Sequence, residues 1–191
     1  HYLALFLGAV VFVYILLYHF TYSRKNLLKN SFNHYSLFFL GFLIGWSPFL
    51  VFEIRHGFQN ITNIFNFLLN PTGVGGSVRF SETIGNVFFR IFGRLVANFP
   101  KLEEVSLGTN PHMAVWYYAI LVLGIASVGI LAIKCFREYK LRSPDFAKFS
   151  LILTWIIVGI GLFGLYKKPI YDYYFGFMFP LPFLIVGFFI V

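Results

Sequence analysis

The sequence predicts an all-α protein, a multispanning transmembrane helical bundle of about five spans, and three observations predict it. The chain of 191 residues is 59% hydrophobic and 22% aromatic but only 12% charged, with a mean hydropathy of +0.77. That leaves too little polar surface to cover one small domain in water. The apolar residues fall in runs close to the ~20 that a bilayer crossing asks for, longer and less charged than the usual core helix. The net charge of +8 collects mainly in the breaks between those runs.

The first run, 2–20, is too long and too aromatic for a signal-peptide core, and no small-residue cleavage site follows it. Connection 21–34 carries Arg24, Lys25 and Lys29 and no acid. The second run, 35–52, holds Gly41 and Gly45, four apart, a spacing that lets helices approach closely. It also holds Pro48, which frees a backbone carbonyl that lipid cannot satisfy, so this stretch is expected to face protein or a cavity. Glu53, Arg55 and His56 close the run. They either end a helix at the headgroup boundary or belong to a polar rim around an outward cavity.

Segment 53–112 is long enough to need structure of its own. Over 60–70, Ile61, Ile64, Phe65, Leu68 and Leu69 recur at helical spacing with asparagines opposite, which predicts a short amphipathic helix. The glycines of PTGVGG lack the flanking strand, lysine and hydroxyl of a phosphate-binding loop and read as a hinge. A second amphipathic helix is predicted over 82–99, with Ser81 as its cap and Pro100 as its stop. Ile84, Val87, Phe88, Ile91, Phe92, Leu95, Val96 and Phe99 form its apolar face, and Asn86, Arg90 and Arg94 lie opposite. Such a helix tends to lie in the membrane interface. Its arginines then either anchor it to lipid headgroups or form a specific phosphate site, since the planar guanidinium fork suits phosphate.

Spans follow at 113–133, 149–166 and 173–191. The fourth run carries Gly159, Gly161 and Gly164, read as packing positions, and the fifth carries Pro180 and Pro182, read as a distortion. Connection 134–148 is basic, like 21–34, and short basic connections mark the cytoplasm. Segment 53–112 and the turn 167–172 are then extracytoplasmic. Lys167 and Lys168 in that turn sit where the charge rule disfavours them, as snorkelling lysines or as part of an anion site with Tyr173 and Tyr174. The whole of 1–191 reads as one transmembrane domain. The absence of an initiating methionine and the apolar end at Val191 predict a piece of a longer protein.

The basic balance serves topology and contact with anionic membrane lipids, and no nucleic-acid partner is expected. Lone Cys135 forms no internal disulfide, and the scattered histidines predict no metal site. No cofactor is indicated.

The stretches PFLVFEIRHGFQNITNIFNFL and KKPIYDYYFGFMFPLPFLIVG resemble the GT-C superfamily of integral membrane glycosyltransferases. The similarity is to bacterial members related to dolichyl-phosphate-mannose protein mannosyltransferases and to the aminoarabinose transferase of lipid A. It lies in a Pro-x-x-x-x-Glu run leading into an external segment, and in Lys168, Tyr173 and Tyr174 before a span with Pro180. The resemblance implies transfer of a sugar from a polyprenyl-phosphate-linked donor to a glycan, lipid or protein acceptor, at the outer face of a bacterial inner membrane. It implies a lipid-phosphate cradle from Arg90, Arg94, Lys167 and Lys168, with Glu53, Arg55, His56, Tyr173 and Tyr174 on the cavity rim. The family's catalytic carboxylate lies in its first external loop, expected upstream of residue 1, so no catalytic residue is assigned here. Glu53, Glu103 and Glu104 are acids on the correct side that do not match that position, and Asp172 departs from the pattern by offsetting the basic charge.

A transporter or flippase, a glycan polymerase or ligase, and a purely structural membrane subunit are the competing readings. Transporters carry ionisable residues near mid-span, where this sequence has almost none.

Overall fold

The computed structural model describes residues 5–22, 27–69, 79–102, 104–166 and 169–190. Regular structure among the described residues is helical throughout: α1 (Leu5–Tyr22), α2 (Leu27–Arg55), α3 (Gln59–Leu69), α4 (Phe80–Phe89), α5 (Pro111–Leu141), α6 (Phe146–Gly164) and α7 (Pro180–Ile190). Helix α4 runs on into a π-helical stretch, Arg90–Val96, and a 3-10 helix, Asp172–Met178, precedes α7.

Three of these helices are long and apolar enough to cross a membrane: Phe32–Arg55, Pro111–Leu141 and Phe146–Gly164. The first predicted span corresponds to a shorter apolar helix, Phe6–Tyr22. The fifth is broken into the 3-10 helix and α7, which meet at 61°. Pro180 explains the break, because its missing N–H and its ring cannot continue the preceding turn. Both α2 and α5 run past their apolar stretches into polar sequence, since hydropathy marks contact with lipid and not the limits of a helix.

The core lies among α4, the π-helical stretch, α5, α6 and α7, where Val87, Ile91, Phe163, Phe175, Met178 and Leu181 are fully buried. Phe163 meets Phe175 and Phe6 edge-on, at centroid distances of 5.1 and 5.5 Å. Glycines allow the close approaches. A Cβ at Gly159 would stand 2.8 Å from Met178 Sδ, and one at Gly124 3.1 Å from the Phe92 ring. A Cβ at Gly41 or Gly45 would meet nothing within 4 Å beyond its own helix backbone, so that pair does not mark a helix contact among the described residues. The apolar face of α4 is covered by protein, against α5, α6 and α7 through its π-helical extension.

Helices α1 and α2 attach to this core mainly through the packing of α1 on α6. Buried His19 meets His34 of α2, Nε2 to Nδ1, at 3.2 Å. The Tyr14 hydroxyl donates to Ala147 O (3.1 Å) and that of Tyr22 to Ser143 O (3.0 Å), so the end of α1 and the α5–α6 connection share one end of the bundle. Pro48 stays inside a continuous α2. The carbonyl its ring deprives of a donor belongs to Ile44, and the neighbouring Ser47 hydroxyl donates to it at 2.7 Å. The freed carbonyl therefore needs no cavity, contrary to the sequence expectation.

Candidate functional site

The site is built on the far end of α6 from the Tyr22–Ser143 contact. Helix α4 begins at Phe80, with Arg79 at its cap and no side-chain capping bond, so Ser81 sits within the helix and not before it. At Arg90 the hydrogen bonding widens from the α to the π pattern, a change that recurs at functional sites. Gly93 sits inside the widened turn against the Phe89 ring, where a Cβ would come within 2.8 Å. The stretch ends at Val96, three residues before the predicted limit. Asn98 takes a left-handed φ of 50°, which asparagine tolerates, and Phe99 N donates to Gly93 O at 2.9 Å.

Arg90 and Arg94, about one turn apart on this stretch, converge on Asp172. The guanidinium of Arg90 gives Nε to Asp172 Oδ1 (2.8 Å), pairs with the same oxygen through Nη2, and gives Nη1 to the Ile170 carbonyl (2.7 Å). It also lies over the Phe175 ring, 5.1 Å from the centroid. Arg94 Nη1 pairs with the other carboxylate oxygen, Oδ2. One carboxylate thus bridges two guanidinium groups, and the bridge joins segment 53–112 to the turn before α7. None of the three is fully buried, with side-chain exposures of 19%, 26% and 35% for Arg90, Arg94 and Asp172.

Beside the bridge lies a pocket of about 460 Å³ lined by Arg90, Arg94, Asn98, Lys101, Glu104 and Asp172, with Phe99 and Phe175 behind them. Lys101 pairs with Glu104 at 3.5 Å, an exposed and weak contact. Three cations face two carboxylates, so the lining keeps one net positive charge. Among the described residues Arg94 engages Asp172 alone, which leaves the remainder of its fork on the pocket wall.

The other predicted site residues fall elsewhere. Glu53 is fully buried and caps α3: Asn60 Nδ2 donates to Oε1 (2.5 Å) and the Ile61 backbone N–H to Oε2 (3.0 Å). It shapes a corner in which Gly57 and Phe58 take left-handed φ values of 67° and 59°. Arg55 and His56 are exposed, with His56 stacked on Phe52 at 4.0 Å and its Nδ1 2.7 Å from Phe52 O. Tyr173 and Tyr174 follow Asp172 and form an aromatic group with Tyr171, which is stacked on Tyr173 at 5.7 Å and edge-on to Tyr174 at 5.6 Å. Lys167, Lys168 and Glu103 lie outside the described residues.

Sequence reasoning missed Asn98 and Lys101, and it read Asp172 against the lysines next to it in sequence. The signal for the bridge was present in part: Asp172 is a lone acid in a short turn on the same side as a pair of arginines four apart. Comparison with known proteins finds no family model, no curated protein and no solved structure that matches the chain.

Proposed function

We propose that this chain is part of an integral membrane glycosyltransferase that moves a sugar from a polyprenyl-phosphate-linked donor to an acceptor at the outer face of a bacterial inner membrane. The observation that carries the reading is the convergence of Arg90 and Arg94 on one anionic group at the rim of a net-positive pocket. A polyprenyl phosphate needs cations that hold its phosphate while the sugar's anomeric carbon is attacked, and arginine forks suit that task. In this reading five helices cross the membrane, with the bent 3-10 and α7 pair as the fifth. Connections 21–34 and 134–148 are cytoplasmic and 53–112 is extracytoplasmic. The pairing of connection ends supports that parity: Tyr22 with Ser143 at one end of α6, Arg90 with Ile170 and Asp172 at the other.

Within the pocket the two arginines differ in role. Arg90 is committed to Ile170 O, Asp172 and the Phe175 face, so it positions the turn, whereas Arg94 retains donors for a ligand. In the full-length protein, Arg94→Gln and Lys168→Gln are expected to weaken binding of a polyprenyl-phosphate sugar about tenfold or more, the worth of a charge-assisted hydrogen bond. Unchanged donor affinity in both variants sinks the phosphate-cradle assignment. The transport reading draws on the 61° break before α7, because broken helices also line transport paths. It predicts substrate accumulation in vesicles without sugar transfer.

A further inference from the structure

We propose that Asp172 is an internal stand-in for the ligand's anionic group, so that a phosphate-bearing ligand enters the Arg90–Arg94 pocket by displacing this carboxylate. The inference rests on reading the pocket as a phosphate site.

The geometry points this way because the carboxylate does what a phosphate would do there. One oxygen faces Arg90 and the other faces Arg94, and the two non-bridging oxygens of a prenyl-phosphate sugar, or two oxygens of the monoester left after sugar transfer, can bridge the same pair beside Asn98 and Lys101. A phosphate and Asp172 cannot share those nitrogens, since two like charges would then stand within a few ångströms of each other in a partly enclosed site. Something must leave when a phosphate enters, and the surroundings decide what. Arg90 is held independently by the Ile170 carbonyl and the Phe175 ring, and the two residues directly after it, Ile91 and Phe92, are buried in the core. Asp172 is the most exposed of the three side chains, and it stands at the start of a 3-10 helix anchored further along by fully buried Phe175 and Met178. Its side chain can swing outward while Phe175, Met178 and the Ile170 tether stay in place. Asp172 thus partly neutralises the arginine pair and holds it in shape, and a weakly competing anion is excluded.

The test is binding to the purified full-length protein in detergent, with geranylgeranyl phosphate, geranylgeraniol and inorganic phosphate as probes. Wild type, Asp172→Asn and Asp172→Ser are compared. Geranylgeranyl phosphate is expected to bind both neutral variants at least about tenfold more tightly than wild type, because the competing ionic contact is gone. Inorganic phosphate gaining equally would mark free phosphate as the source, and a gain confined to the prenyl phosphate would mark a lipid headgroup. Equal affinity of wild type and variants for geranylgeranyl phosphate overturns the stand-in and leaves the phosphate site standing. Weaker binding in the variants makes Asp172 a strut and also overturns it. Binding of geranylgeraniol as tight as its phosphate in all three proteins removes the phosphate reading itself.

Hydrogen exchange on the wild type gives a readout that does not depend on how the variants fold. Amides of 170–174 are expected to exchange faster when the phosphate probe displaces the carboxylate. Slower exchange, the mark of a ligand bound beside a retained Asp172, overturns the proposal.

Discussion

Helices α1 to α3 and the assembly from α4 to α7 use the same apolar alphabet for different ends. In α2, 6% of the apolar stretch is buried inside the protein, against 33% in α6, although mean hydropathies of 1.9 and 2.0 barely separate them. Leu37, Phe39 and Ile44 of α2 are exposed, while Ile156, Ile160 and Phe163 of α6 are buried. Hydropathy therefore reports that a helix suits lipid. Interlocking shape, carried by glycines and aromatic edges, reports that it has a neighbour. The two acids repeat the contrast: Glu53 settles a local corner within eight residues of itself, whereas Asp172 closes a contact across some eighty.

Truncating one phenylalanine on each side breaks this contrast most sharply. Phe163→Ala is expected to cost about 3–5 kcal/mol, the range for a large side chain lost from a packed core. Phe39→Ala, on an exposed face of α2, is expected to change thermal stability in detergent little. Equal losses would mean that α2 is packed against something as firmly as α6 is. Glycine substitution makes a smaller difference of opposite kind. Gly159→Leu must push against Met178 and is expected to cost about 1–3 kcal/mol. Gly45→Ala adds a Cβ that meets no atom within 4 Å and is expected to be neutral or to stabilise, since glycine inside a helix is itself unfavourable by roughly 0.5–1 kcal/mol. A melting comparison of the two decides the matter. The smallest effect sharpens the view of α2 alone. Ser47→Ala leaves the Ile44 carbonyl without its donor, and a loss of about 1–2 kcal/mol is expected. Replacing Pro48 by alanine in the same chain should recover it, because a backbone N–H is then supplied; failure to recover would show that the hydroxyl serves another partner.

Much of the fold was legible because helices in lipid must satisfy their own backbone, which ties an uninterrupted apolar run to one helix, whereas the fifth run, with Pro180 inside it, forms two. The spacing of Val87, Ile91 and Phe92 likewise marked the buried face of α4 and its π-helical extension, and Arg90 and Arg94 fall on the side that the same spacing assigned to them. The Ser47 contact was legible in principle, as a hydroxyl directly before a mid-helix proline. Other features were not. The widened turn at Arg90 sets Gly93 against the Phe89 ring, where a Cβ would come within 2.8 Å, and residue types alone do not encode so close a fit. The site bridge joins residues some eighty positions apart, and single-sequence periodicity carries no information about such pairs. Local reading set Asp172 against the nearby lysines, while its partners came from a different helix.

The break before α7 has a consequence for the membrane itself. At about 2.0 Å of rise per residue, the 7 residues of the 3-10 helix are roughly 14 Å long. The bend of 61° turns them away from the axis of α7, so along that axis they advance only about 7 Å. Were α7 to run along the bilayer normal, Asp172 and the two arginines would stand that much nearer the hydrocarbon than a straight continuation would hold them.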